Sequence, residues 1–416
     1  MSNGRRRVVV TGLGVKAPAG TTVESFWAQL REGRSCAGPI RRFDATILPE
    51  SFRFACEVPE FDLEPYLDFK EARRMDRNSQ LGFAAALDAF ADAGELDQDP
   101  ARCAVYCGNG IGGMMTMEDG MKVLLDRGSD RVGPYLVPTM MANATVASVG
   151  MRLGWTGPNL CVSTACAAGT NAIGEAALLI RHGAAEVALA GGTEALVTPL
   201  AMSAFGRMGA LSGRVSDPTA ASRPFDPDRD GFVMGEGAGF LMLEELGVAL
   251  ARGARIYGEV LGYARNTDAY HITAPAPGGA GAAACMQQAL TDAGIEPSDV
   301  AHINAHGTST PLNDASEAMA IAKIFGDGAV PVTSAKGVIG HLVAGAGAVE
   351  AVASMLALRD GVVPPTANHD RDDPDLPIDV VSGTERAVAP GPIVSNSFGF
   401  GGHNATVVLG PPEPNH

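Results

Sequence analysis

LCVSTACAAGTNAIGEAALLI (160–180) decides how the rest of the chain is read. Leu160 to Ser163 has the length and apolar character of a buried strand, and the residues after Thr164 and Ala165 recur at helical spacing. Cys166 therefore falls at a strand-to-helix junction. There the free amides of the first helical turn, with the positive end of the helix dipole, favour thiolate over thiol. The same amides can receive the oxygen of an acyl group as the sulfur attacks it. Ala165, Ala167, Ala168 and Gly169 leave room for a substrate to approach the backbone. The stretch reads equally as one buried cysteine among seven, because a free thiol packs like a small hydrophobe.

Outward from it, short apolar runs form two series. RVVVTG (7–12), CAVYC (103–107), LCVS (160–163), EVALAGG (186–192) and FLMLE (240–244) make the first. IYGEVLGY (256–263), AHINA (301–305), VPVTS (330–334), PIVSN (392–396) and ATVVL (405–409) make the second. Helix-like stretches such as NSQLGFAAALDAFADAG (78–94) and GAAACMQQALTDAG (281–294) fill most gaps. That alternation predicts an α/β fold with parallel or mixed sheets covered on both faces. Five strands followed by five more predict a duplication, with halves at 1–255 and 256–416. The third strand of each series runs into a small-residue helix, which sets Cys166 and His341 at matched positions.

A chain of 416 residues, 46% hydrophobic, has ample length for a large core. Seven cysteines with no CxxC pair argue against a disulfide framework. The opening MSNGRRRVVVTG lacks the apolar stretch of a secretory signal, and no run reaches the length of a membrane span. A cytoplasmic protein without membrane contact is expected. The net charge of −16 argues against nucleic acid as a partner, and any acidic partner must be met by a local basic patch. KEARRMDR (70–77) is the densest such cluster after the N-terminal arginines, though it also reads as a solvated helix start. GEGAG (235–239) lacks the Gly-Lys-Ser/Thr of a phosphate-cradling loop.

Three further stretches give Cys166 its meaning. NAHGTSTPLND (304–314) puts His306 just beyond a strand end. His302 and His306 are four apart but straddle a strand-to-loop transition with no third ligand nearby, so no metal site is expected. SAKGVIGHLVAGAGAVE (334–350) holds Lys336, His341 and Glu350, a cation and a carboxylate able to set an imidazole's orientation and tautomer. NSFGFGGHN (396–404) is a glycine-rich turn that exposes Phe398 and Phe400. MMTMEDGMKVLL (114–125) and YLVPTMMANATVAS (135–148) are Met-rich, which suits core filling or the wall of a pocket for a linear apolar ligand. Each histidine alone reads as structural; the combination points to chemistry.

In order along the chain, VVVTGLG, RRMDR, GNGIGG, STACAAG, GGTEA, ASRPFDPDRDGFVMGEGAG, TDAYHIT, NAHGTSTPLND, KGVIGH and NSFGFGGHN resemble the elongating β-ketoacyl-acyl carrier protein synthases of the thiolase superfamily. The likeness runs over nearly the whole chain. It implies a thiolase-like duplicated fold, two five-stranded mixed sheets in an αβαβα layered arrangement. It implies a catalytic Cys166, His306 and His341, supported by Lys336 and its partner Glu350. The amides of Cys166 and Phe400 would form the oxyanion hole. Phe400 would gate the site, with Phe398, Phe205, Ile111, Met140 and Met141 at the gate or acyl pocket. Thr308 and Thr310 would hold a phosphopantetheine arm, and Lys70, Arg73 and Arg74 would dock an acyl carrier protein. The implied chemistry moves an acyl chain to Cys166 and condenses it with malonyl-carrier protein after decarboxylation. It uses no metal, nicotinamide or nucleotide. The resemblance also implies a dimer through strand 160–163, placing Met140 and Met141 beside the neighbouring subunit's pocket.

Related families fit less well. A thiolase would carry a second cysteine in the final glycine-rich turn, where this chain has GFGGHN. The initiating synthases pair cysteine with one His and one Asn, and a chain-length factor lacks the nucleophile. A cysteine thioester hydrolase or a non-catalytic acyl-binding protein are the readings from other classes. For the pathway, APAG (17–20) resembles type II polyketide ketosynthases, whereas STACAAG and GHLVAGAGAVE resemble the fatty-acid enzymes. A ketosynthase for a reduced or polyene-type polyketide would combine both sets of features, and the sequence leans that way. The partner subunit is then a chain-length-factor-like homologue; in fatty-acid elongation it is an identical chain.

Overall fold

The computed structural model describes residues 5–412. All ten apolar runs are strands. The first half holds β1 (Val8–Lys16), β2 (Cys103–Gly108), β3 (Asn159–Val162), β4 (Val187–Ala195) and β5 (Glu236–Glu245). The second holds β6 (Gly258–Thr267), β7 (His302–Asn304), β8 (Pro331–Thr333), β9 (Ile393–Gly399) and β10 (His403–Gly410). Strand order is β3-β2-β4-β5-β1 in the first and β8-β7-β9-β10-β6 in the second, the same path twice. The sense of each pairing repeats too. β2 lies parallel to β3 and β4, and the remaining steps to β5 and β1 are antiparallel. β7 lies parallel to β8 and β9, and the steps to β10 and β6 are antiparallel.

The two five-stranded units are not separate at their edges. β1 and β6 pair antiparallel at Val9–Glu259 and Val10–Gly258, so hydrogen bonding runs unbroken from one unit to the other. Each unit thereby covers part of an edge that would otherwise present unpaired backbone groups. A short strand, Asp379–Val380, extends the far edge beyond β8.

Helices form the other three layers. α1 (Arg77–Ala93) covers the outer face of the first unit, with α2 (Met114–Arg127) and α3 (Ala144–Leu153) after it in sequence. α4 (Ala168–Arg181) packs on β2 and β4 on one side and on β6 and β10 on the other. α5 (Ala280–Ala293) and α6 (Pro311–Phe325) cover the second unit's outer face. α7 (Ala346–Asp360) lies between the units beside α4, touching β4, β5 and β9. Every residue from Ala346 to Ala357 is buried, as expected of a helix with sheet on both sides. Among the described residues, no helix is long and apolar enough to cross a membrane.

The two central helices start alike. A single 3₁₀ turn, Ala165–Ala167, leads into α4, and Val343–Gly345 leads into α7. Each turn opens on a left-handed residue, Ala165 at φ 49° and Val343 at φ 48°. The counterpart of Cys166 is therefore Ala344, not the expected His341. The displacement comes from the connection's length. Only residues 163–164 separate β3 from its turn, whereas 334–342 separate β8 from the second turn and include a short helix, Lys336–Ile339. That insertion carries both Lys336 and His341.

Candidate active site

Cys166 stands on the turn between β3 and α4, behind the left-handed Ala165. A non-glycine residue in that region is strained, and such strain gathers where a side chain must be presented. The thiol is buried, 7% exposed. Its own amide and that of Phe400 face the sulfur. The turn between β9 and β10 comes this near because residue 399 is glycine. A Cβ there would stand 2.8 Å from the Thr164 oxygen and 3.1 Å from the Cys166 nitrogen. The expected pull of these amides toward thiolate is present but outweighed. Burial pushes the thiol up to about 11, against the Lys336 charge and the two amides, so the resting sulfur holds its proton.

His341 places Nε2 3.1 Å from Cys166 Sγ. Its Nδ1 accepts the Val343 N–H at 3.3 Å, so the neutral ring carries its hydrogen on Nε2, toward the sulfur. The His306 ring meets His341 edge to face, centroids 5.3 Å apart. Sγ and one nitrogen from each ring lie within 4.8 Å of one another. Burial, then the Lys336 charge, holds both imidazoles well below their ordinary pKa. The site thus offers two neutral rings.

Lys336 and Glu350, both fully buried, pair at 2.5 Å. The sequence reading gave this pair the tautomer of His341. The structure gives that task to the Val343 amide, while Lys336 acts on both rings through its charge. Glu317 on α6 was not foreseen. Its carboxylate accepts the amides of His306 at 2.8 Å and Gly307 at 2.7 Å, which fixes the loop carrying the second imidazole. The available signal was a carboxylate beside the apolar Ala318, Ala320 and Ile321, since a buried charge requires partners.

A cavity of about 540 Å³ opens over these groups. Cys166, His306, His341 and Phe400 border it, as do Ile111, Phe205 and Phe398. Phe232, also unforeseen, stands edge-on between Phe205 at 5.9 Å and His341 at 5.1 Å. Thr308 and Thr310 line the cavity and join their hydroxyls at 2.8 Å. Met140 and Met141 are not part of this wall; Met141 is 43% exposed on the outside of the chain. Lys70, Arg73 and Arg74 are exposed at a short helix, Phe69–Ala72, capped by Asp68. Arg73 stacks over Phe69 and Arg74 over Tyr135, at 5.6 and 4.5 Å. Among the described residues β3 pairs only with β2 and ends the sheet, leaving Leu160 48% exposed.

Known proteins resemble this chain in sequence and fold. Residues 5–249 match the family described as beta-ketoacyl synthase, N-terminal domain, and residues 257–370 match beta-ketoacyl synthase, C-terminal domain. The 3-oxoacyl-[acyl-carrier-protein] synthase 2 of Synechocystis sp. is 50% identical over 411 residues, covering 97% of this chain and 98% of that protein. The solved ishigamide ketosynthase/chain length factor superposes with a TM-score of 0.92 at 39% identity, covering 98% of this chain and 100% of its own. A ketosynthase in complex with its type II PKS acyl-carrier protein, AntDE:AntF, superposes with a TM-score of 0.89 at 33% identity, with the same coverage.

Proposed function

The chain belongs to the β-ketoacyl synthase family, acyltransferases of thiolase-like fold, and from that premise we propose that Cys166 carries an acyl chain through decarboxylative Claisen condensation with malonyl-acyl carrier protein. One observation carries the reading of the site. The Nε2–H of a neutral His341 faces Cys166 Sγ at 3.1 Å, and its Nδ1 is already taken by an amide.

The acyl chain arrives as a thioester on the carrier's phosphopantetheine arm, held by Thr308 and Thr310. Cys166 sulfur attacks the carbonyl, whose oxygen gathers negative charge between the amides of Cys166 and Phe400. The C–S bond to pantetheine breaks, and the departing sulfur takes the thiol proton. Malonyl-carrier protein enters next. Its thioester oxygen accepts N–H from His306 and His341, the bond to its carboxylate breaks, and carbon dioxide leaves the electron pair in an enolate. The enolate carbon attacks the acyl-Cys166 carbonyl, the same two amides hold the oxyanion, and the Cys166 thiolate departs and takes up one proton from solvent. A histidine that is charged at rest would hold the malonyl carboxylate rather than release it, so neutrality matters. Burial, with the charge of Lys336 added to it, keeps both rings neutral. Phe400, between Gly399 and Gly401, gates the order of entry, and Ile111, Phe205 and Phe398 receive the chain.

The carrier docks on Lys70, Arg73 and Arg74, in the cytoplasm. A second subunit pairs along β3, bringing Met140 and Met141 to the neighbour's pocket. For the pathway we take the type II polyketide reading, supported by APAG at 17–20 and by the superposition on the ishigamide ketosynthase/chain length factor. The second subunit is then a homologue without the nucleophile. Fatty-acid elongation by identical subunits is the second reading, favoured by the 50% identity to the Synechocystis synthase.

Two experiments test these levels. Intact-mass measurement with acyl-carrier protein should show an adduct on wild type and none on Cys166→Ala; an adduct on the variant would overturn the assignment. Full elongation of saturated chains by the pure homodimer would overturn the polyketide reading and leave the site chemistry standing.

A further inference from the structure

Glu194 lies near the end of β4, in GGTEA (191–195), and the chemistry above makes no use of it. Its side chain is wholly buried. Oε2 accepts the Gly110 N–H at 2.8 Å, and the amides of Ile111 and Ala344 also turn toward the carboxyl group. Among the described residues, Oε1 has no hydrogen-bond partner of its own. A Cβ on Gly110 would stand 2.4 Å from Oε2, so the loop after β2 sits directly on the carboxyl group.

Two of those amides are informative. Ile111 lines the acyl cavity beside Cys166. Ala344 is the second half's counterpart of Cys166, so its amide corresponds to the amide that meets the acyl oxygen in the first half. In the second half that amide turns to a protein carboxyl group instead of a substrate.

We propose that Glu194 is a positioning residue that sets acyl-chain selectivity, its carboxyl group filling the second half's vestigial oxyanion position and holding the Gly110–Ile111 loop at the cavity wall. The proposal rests on reading Cys166 as the acyl carrier. The electrostatics agree with it. Burial, with the Asp76 charge adding to it, pushes the Glu194 carboxyl up to about 8 against the three amides. The neighbouring thiols Cys107, Cys161 and Cys166 are each pushed upward when Glu194 is charged. A neutral acid is thus the form compatible with negative charge developing on Cys166. Glutamine copies that form; alanine removes it, and aspartate withdraws it by one methylene.

The test uses the full chain as wild type, Glu194→Gln, Glu194→Ala and Glu194→Asp. Each is given short, medium and long acyl-carrier donors, and acylation of Cys166 is timed by intact mass beside malonyl decarboxylation. Glu194→Ala and Glu194→Asp should shift the ratio of long-chain to short-chain acylation about tenfold or more, the scale of a displaced wall. Glu194→Gln should keep the wild-type ratio, and decarboxylation should hold in all soluble variants. If the alanine chain fails to fold, the aspartate variant decides. An unchanged ratio in the variants, or an equal loss at every chain length that glutamine does not rescue, overturns the clamp while wild-type acylation stands. No adduct on wild-type Cys166 overturns the site reading and the clamp together.

Discussion

His341 Nε2 stands 3.1 Å from Cys166 Sγ, and the hydrogen between them belongs to the ring. A histidine so arranged is a donor and a poor base. In the proposed condensation its work falls in the step that needs donors, the stabilisation of an enolate. His341→Ala and His306→Ala should still accept an acyl group on Cys166, but release carbon dioxide from malonyl-carrier protein about 10²–10³ times more slowly. Wild-type decarboxylation by both would place the enolate's donors elsewhere.

Both imidazoles are held far below their ordinary value of 6.5 by burial and then by Lys336. The rings stay neutral as pH falls through 6.5, and protonation waits for more acid conditions. Single-turnover decarboxylation should accordingly be flat through that range. A decline centred at the ordinary histidine value would show that at least one ring charges there.

Glu194 makes a different pH claim, on stability. Its folded pKa is raised from 4.5 to about 8, so the unfolded chain gives up this proton first. The contribution is whole below 4.5 and is lost as pH rises toward about 8. Glutamine has no proton to lose. The melting temperature of Glu194→Gln should gain on wild type as pH rises through that window, and a constant difference across it would contradict the raised value.

Phe400 has glycine on both sides and a half-buried ring at the cavity wall. Phe400→Ala should blur the order of substrate entry, with malonyl-carrier protein decarboxylated before Cys166 is acylated, at little cost in melting temperature. A collapsed melting temperature with normal residual turnover would identify it as a core residue.

The chain's net charge of −16 gives an acidic carrier no general attraction, which leaves docking to a local patch. Arg73→Glu with Arg74→Glu should raise KM for carrier-bound donors and spare a short acyl-pantetheine mimic. The wild-type carrier reaction should weaken with salt, because exposed charges are screened within about 8–10 Å. Equal loss with both substrates would mean that these arginines hold structure.

The strands were legible because each is a short apolar run between turn signals, and Cys166, His306 and His341, which the fold brings together, could be singled out because their motifs are distinctive. What escaped the sequence depends on which elements meet. Nothing in RVVVTG or IYGEVLGY says that Val9 pairs with Glu259. Glu317 and Glu194 look like ordinary acidic residues until the loops that rest on them are in place. The protonated state of Cys166 was missed because helix-end amides are a local property, whereas burial depends on everything packed around the sulfur. His341 was matched to Cys166 on helix composition, and only the 3₁₀ turns showed the counterpart to be Ala344.

Val343 is a β-branched residue at φ 48°, a conformation that costs on the order of 1–3 kcal/mol. The half that holds Ala344 where the first holds Cys166 has nevertheless kept the turn. Its product there is the direction of one N–H, which lands on Nδ1 of His341 and selects the tautomer. The same bend serves two trades in one chain, aiming a sulfur in one copy and assigning a hydrogen in the other. The second copy is therefore an instructor to the first rather than a relic beside it.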